Sequence, residues 1–491
     1  MGTLFKHGVI VTAGDMYAAD LLVEDEQIVQ IGLDLPVSDH EVVDCAGKYL
    51  MPGGIDVHTH LHLPLAQTSS NSDFDSGHRA AAFGGTTTHI DFAIQPRGGT
   101  LAEGFAIWQQ KARPAQIDYG FHMTITDPRD DVLADIPTLL DMGINTIKVL
   151  MAYKNSFQID DTGLFRIMRM AAQHGMLVMV HAENGDVEAI LREELLASGL
   201  TQPLWHPSSR PAEIEAEATN RAVMMSRLTG CPLYVVHMTC EGAVAAVRQG
   251  RAAGVPVMGE TCPQYLALTA SEHLGLPGFE AAKYVASPPL REQRDQQALW
   301  SALRDGTLQV VGTDHCDFWF EGGVGPWEAW AAAHDNHHWA KYERQDPSYR
   351  RPGKELGRDD FSKIPNGLPG IEDRMLVTWQ LGVNGGEITP TRFVETHCTN
   401  PARIFGLYPR KGTLAVGSDA DILVWDPAAQ HVISARTHHM LTDYNAYEGL
   451  RVEGKPVQVY LRGRKLVDGD EWLGENGYGQ YLARPAGVTL V

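Results

Sequence analysis

Eight short apolar runs recur between residues 53 and 316, each separated from the next by longer segments, and that alternation restricts the possible folds more than any other feature. They are GGIDVHTH (53–60), TTTHIDFAI (86–94), YGFHMTIT (119–126), TIKVLMAY (146–153), LVMVHAE (177–183), PLYVVHMT (232–239), VPVMGETCP (255–263) and QVVGTDHC (309–316). Between them, stretches such as EAEATNRAVMMSRLTG and GAVAAVRQGRAAG repeat apolar residues at three and four, the period of an amphipathic helix. Nearly unbroken apolar strands joined by helices form a parallel sheet covered on both faces. Closing it into a (β/α)8 TIM barrel removes its edges; an open doubly wound sheet is the competing arrangement.

The ends of the chain have another texture. Residues 1 to 50 read as short alternating strands, LFKHGVIVT, AADLLVEDEQIVQIG and HEVVDCAGKYLM, and the pattern returns in KGTLAVGSDADILVWDP, HVISARTH and VQVYLRGRKLVDG. The expected organisation is a small β-sandwich domain built from both chain ends, residues 1–52 and 408–470. It brackets a barrel over 53–407 that carries an insertion at about 321–355. A C-terminal tail, 471–491, follows; its ENGYGQYLARPAGVTLV has too few apolar residues to pack as a helix and is expected to lie on a neighbouring subunit.

With 491 residues, 44% hydrophobic and 21% charged, the chain can bury a large core, and no run approaches the ~20 apolar residues that span a bilayer. The MGTLFKHGVIVTAGD start has no cationic segment followed by a long apolar one, so a cytoplasmic protein is expected. A net charge of −21 disfavours nucleic acid and anionic membrane as partners. The six cysteines lack CxxC spacing, which argues against a thiolate zinc site or a disulfide scaffold.

Polar residues stand at the carboxyl ends of the strands, where a barrel places its active site: His58 and His60, Lys148, His181, His237 and Asp314. In His-Thr-His the two imidazoles point to one side of a strand, an arrangement that suits zinc. One strand-end histidine is more often a hydrogen-bonded core residue, Lys148 alone reads as a surface lysine, and Asp314 alone reads as a helix cap. Six such groups converging on one mouth argue for a metal site.

MPGGIDVHTH, RAAAFGGTTTHIDFAIQ, TIKVLMAYKNSFQIDD, ETCPQYL, GTDHC, DDFSKIPNGLPGIEDRM and NPARIFGLYPRKGTLAVGSDADILVWDP together resemble the cyclic amidohydrolases, most closely the D-hydantoinase and dihydropyrimidinase branch, from about residue 1 to 470. The resemblance implies two divalent metal ions, most readily Zn2+, bridged by a CO2-derived carbamate on Lys148 (N6-carboxylysine). His58, His60 and Asp314 match the ligands of one ion, and His181 and His237 those of the other. A bridging hydroxide would open a 5-substituted hydantoin or dihydropyrimidine to an N-carbamoyl amino acid, with Asp314 moving the proton and Tyr153 steadying the oxyanion. Ser287 and Asn366 match positions whose backbone groups grip the ring amide; Ser before Pro-Pro and Asn before Gly are also ordinary turn formers. Relatives are usually homotetramers. Alternatives are another ring-opening amidohydrolase, acting on allantoin, dihydroorotate, a cyclic imide or an aromatic lactam, and a non-catalytic dihydropyrimidinase-like scaffold.

The stretch from 318 to 361 exceeds the family connection by some thirty residues, and its Trp327, Trp330, Trp339 and Tyr342 suit a lid or wall at the mouth for a bulky or aromatic substrate, or else a surface excursion or a subunit contact. His334, His337 and His338 within it have helical spacing but no acidic partner pattern. Leu63, Leu65 and Phe157 are expected to line an apolar pocket for the ring substituent. His62 and His89 depart from the family pattern and bear on substrate identity, whereas Cys316 has no activating base and no assigned role.

Overall fold

The computed structural model describes residues 2–65, 67–321 and 352–491. The aromatic and histidine clusters expected within the insertion, Trp327 to Tyr342, lie outside the described residues. The chain begins with β1 (Thr3–Lys6), β2 (Val9–Val11), β3 (Met16–Ala18), β4 (Asp20–Glu24), β5 (Gln27–Gly32), β6 (Glu41–Asp44) and β7 (Tyr49–Pro52). The barrel strands follow: β8 (Gly54–Thr59), β9 (Thr86–Ile94), β10 (Asp118–Thr124), β11 (Thr146–Leu150), β12 (Leu177–His181), β13 (Leu233–Val235), β14 (Val257–Thr261) and β15 (Val310–Val311). The last are β16 (Ile422–Val432), β17 (Arg451–Leu461), β18 (Arg464–Asp468) and β19 (Glu471–Trp472).

Strands β8 to β15 pair in sequence order and in parallel, as the alternation of apolar runs predicts. The circle closes where Thr59 bridges His315 and the His60 N–H donates to the His315 carbonyl at 2.8 Å. Ile55, Val57, Ile90, Phe92, Leu177, Met179, Tyr234, Met258 and Val310 fill a core cluster along these strands. Arg374, wholly buried, ties the seam: its guanidinium donates to the carbonyls of Ile55 (3.0 Å) and Val311 (2.9 Å) and to Thr86 Oγ1 (3.0 Å). Three of the surrounding helices begin where short polar side chains satisfy free backbone N–H groups. Thr100 with Glu103 forms a capping box for Leu101–Lys111, Asp160 caps Asp161–Gln173, and Asn184 caps Gly185–Ala197.

The terminal β layer is two sheets. One, in the order β5-β4-β1-β6, comes from the first segment alone; the other, β19-β18-β17-β16-β7-β2-β3, interleaves both ends, with Ile422 opposite Pro52 and Trp425 opposite Tyr49. Phe5, Ile10, Leu21, Ile28, Leu50, Ile422, Val424 and Tyr460 form the core of this layer. Of HVISARTH only His431 and Val432 are strand, because the chain then turns at Ser434, whose carbonyl accepts from Thr437 and His438.

The tail corrects an expectation. It packs on its own barrel: Tyr119 exchanges backbone hydrogen bonds with Gln480 (2.9 Å) and Leu482 (2.7 Å), the Arg484 N–H donates to Gly143 (2.9 Å), and the Gly487 N–H donates to Gly175 (3.0 Å). The segment needs no helix, since its backbone pairs with the start of β10 and with the loops at Gly143 and Gly175, and Leu482 is buried among Ile90 and Leu177. All six cysteines are buried free thiols.

Candidate active site

His58 and His181 end β8 and β12, and Lys148 lies within β11. His60, His237 and Asp314 fall just beyond their strands. Tyr153, His237 and Asp314 have φ of +71°, +37° and +52°. A side-chain-bearing residue in that left-handed region costs roughly 1–2 kcal/mol, so packing around the mouth must hold each of them there.

The groups meet. Asp314 Oδ1 lies 3.1 Å from Nε2 of both His58 and His60, and His181 Nδ1 faces His237 Nε2 at 2.9 Å. The His58 ring is 5.3 Å, centroid to centroid, from each of the His60 and His237 rings, and Tyr153 is 5.3 Å from His181. Among the described residues, the atoms of His58, His237 and Asp314 that could ligate a metal lie within 4.8 Å of one another. His58 Nε2 is buried there without a hydrogen bond of good geometry.

The electrostatics follow from burial and neighbours. Burial alone would lower His58, but the carboxylates of Glu260 and Asp314 hold it up at about 9. Burial would raise Asp314, yet the charge on His58 and the close approach of the His58 and His60 rings keep it well below the usual carboxylate range. Burial brings Lys148 down to about 8 against the pull of Asp314 and Glu260, and pushes the Tyr153 phenol up to about 12.

Several supporting residues escape sequence reasoning. Glu260 on β14, fully buried, accepts from His58 Nδ1 (2.6 Å), the His237 backbone N–H (3.1 Å) and the Tyr234 hydroxyl (3.0 Å). Glu183 accepts from His181 Nε2 (2.7 Å), Arg210 (2.6 Å) and Ser287 Oγ (3.2 Å), while the Arg210 guanidinium lies 5.3 Å from the Tyr153 ring centroid. The visible signal was a carboxylate inside an apolar run, as in VMGET; which histidine it serves is set by the neighbouring strand. His89 also changes its meaning. It is buried away from the cavity, with Nδ1 on Thr59 Oγ1 (2.9 Å) and Nε2 facing His78 Nε2 (2.6 Å), while Thr59 donates to Asp91 at 2.8 Å. His89 thus braces the residue between His58 and His60, and a polar side chain on the back of a barrel strand does not bear on substrate choice.

A cavity of about 700 Å³ opens over these groups. Lys148, His60, His181, His237, Asp314 and Tyr153 line its polar side, and Leu63, Leu65, Ile94, Leu150 and Phe157 an apolar one. Ser287, Asn366 and Gly367 also face it, whereas His62 does not. Cys316 lines it too, but burial holds its thiol well above the usual range, so it stays protonated. No helix of the described residues is long and apolar enough to cross a membrane.

Residues 49–466 match the amidohydrolase family. The chain is 48% identical over 486 residues to a D-hydantoinase of Geobacillus stearothermophilus, covering 99% of this chain and 97% of the relative. It is 45% identical over 488 residues to a D-hydantoinase of Streptomyces coelicolor, covering 98% of each. A crystal structure of dihydropyrimidinase from Brevibacillus agri superposes with a TM-score of 0.92 at 45% identity, covering all of both chains.

Proposed function

The chain belongs to the amidohydrolase family, and from that premise we propose that it hydrolyses a cyclic amide, a 5-substituted hydantoin or a dihydropyrimidine, to an N-carbamoyl amino acid. The observation that carries this reading is the convergence of His60, His181, His237, Lys148 and Asp314 on a cavity that also has an apolar lining, with His58 buried against Asp314.

The donor set fits divalent metal: the His58 nitrogen lacks a good partner, the facing His181 and His237 nitrogens are set close together, and the carboxylate is shared by two histidines. His58, His60 and Asp314 would hold one ion and His181 and His237 the second, with a carbamate on Lys148 joining both sets. When bound, two zinc ions supply a water that deprotonates near neutral pH and an electrophile for the amide carbonyl. The Lys148 ammonium must first lose a proton. Its neutral amine would then attack CO2, forming an N–C bond as one C=O π pair moves onto oxygen and a second proton leaves. Two protons lost and one CO2 gained turn a cationic side chain into an anionic one.

Asp314 is placed to accept a proton and pass it to the leaving ring nitrogen. The Tyr153 hydroxyl donates to the oxygen on which charge grows, an interaction typically worth about 3 kcal/mol. Backbone groups at Ser287 and Asn366 hold the ring amide, and Leu63, Leu65 and Phe157 receive the substituent. A homotetramer belongs to the same reading.

The test is ring opening followed by ultraviolet loss, with zinc and bicarbonate supplied and the N-carbamoyl product identified. Lys148→Ala is expected to abolish turnover and to remove the mass of one CO2 from the intact protein. Wild-type protein loaded with metal that opens neither ring would overturn the assignment.

A further inference from the structure

Lys354 is completely buried, yet it has no carboxylate within ion-pair range among the described residues. Its ammonium instead places one bond on each of three backbone carbonyls: Val285 at 2.9 Å, Pro365 at 3.1 Å and Gly367 at 2.9 Å. An ammonium has three donors, so all are used. The choice of acceptors is specific. Val285 lies two residues before Ser287, and Pro365 and Gly367 flank Asn366, so the lysine joins the two segments that bring Ser287 and Asn366 to the cavity. The Gly367 N–H closes on the same Val285 carbonyl at 3.1 Å, and the Lys354 backbone N–H donates to Trp319 at 2.7 Å, fixing the base of the side chain to the loop after β15.

We propose that Lys354 is a positioning residue: by gripping these three carbonyls it sets the spacing between the Ser287 and Asn366 segments and hence the fit of the cyclic amide between them. The inference rests on the reading that Ser287 and Asn366 hold the ring amide. Burial pulls the ammonium down to about 7, so charging it works against folding, while its three bonds keep the Val285, Pro365 and Gly367 carbonyls from losing a donor. None of the hydrogen bonds of Lys354 goes to a residue assigned to metal, which separates its effect from loss of the ions.

Lys354→Met keeps the length and removes the donors. In the metal-loaded full chain it is expected to raise KM for the ring substrate by about tenfold or more, with kcat within about threefold and metal content unchanged. Hydrogen exchange in peptides covering 283–288 and 364–368 is expected to quicken while the rest of the barrel stays protected. Lys354→Arg, which restores charge and donors, is expected to recover part of the KM. A purely structural role would lower the active fraction, and so apparent kcat, without moving KM. Should Lys354→Met fail to fold, Lys354→Gln, with two N–H donors and no charge, carries the same comparison. Unchanged exchange at those peptides, or quickened exchange with unchanged KM, would overturn the proposal. A wild-type protein that opened no cyclic amide would defeat the catalytic reading instead, and the exchange comparison would still decide the clamp.

Discussion

Replacing Glu260 by Gln tests whether the metal site is oriented from behind. Glu260 Oε1 receives His58 Nδ1 at 2.6 Å and the His237 N–H at 3.1 Å, so one carboxylate oxygen fixes the tautomer of one histidine and the backbone of another. Glutamine has the same shape, but its acceptor is neutral. Hydrogen bonds to charged groups contribute about 1.5–3 kcal/mol and neutral ones about 0.5–1.5 kcal/mol, so weakening both contacts costs about 1.5–3 kcal/mol. If that cost falls on the ligand geometry, zinc affinity drops about 10- to 100-fold, the range usual when a partner behind a metal-bound histidine is lost. Competition against a fluorescent chelator reads the affinity directly, and excess zinc should return much of the turnover. A folded Glu260→Gln protein that binds zinc within about twofold of wild type would refute the claim that this carboxylate orients His58.

Two further substitutions address stability. Asp373 is buried with a single hydrogen bond from Asn445 (2.8 Å), and burial followed by the charge of Glu372 raises its pKa to about 8. The folded chain therefore retains a proton that the unfolded chain has lost, so this group reduces stability as pH climbs from about 4 to about 8. Asp373→Asn should raise Tm more at about pH 8 than at about pH 5; equal shifts at both would dismiss the effect. Arg374→Met leaves the carbonyls of Ile55 and Val311 and the hydroxyl of Thr86 without their donor and should cost about 3–5 kcal/mol, read as a lowered Tm; a change below about 2 °C would show that the seam closes without it.

The barrel was legible because each of its strands lies in a largely apolar run, and the meeting of His58, His60, Lys148, His181, His237 and Asp314 because six such groups at the ends of these runs are hard to explain one by one. What stayed hidden depends on contacts between distant parts of the chain. His237 and Asp314 were read as strand ends, but both sit past very short strands at left-handed φ that only the assembled mouth imposes. His89 was read as bearing on substrate identity because sequence gives the strand but not which of its faces meets the cavity. Lys354 gives no local signal of its role, since nothing nearby in the sequence predicts three carbonyls from two other segments. The tail was misassigned for a similar reason, as its partners are the backbones of barrel loops.

The pairing of Leu50 with Val424 places β7 beside β16 across most of the length of the chain. A ribosome delivers residues in order, so β7 emerges with one side lacking its neighbour and waits for β16 while every barrel strand is made. Local parallel pairings within the barrel can form during that interval, whereas this long-range one carries a large loop-closure penalty. The interleaved sheet is thus expected to lock last, and until then β7 offers an open edge to which the same strand of another nascent copy could add.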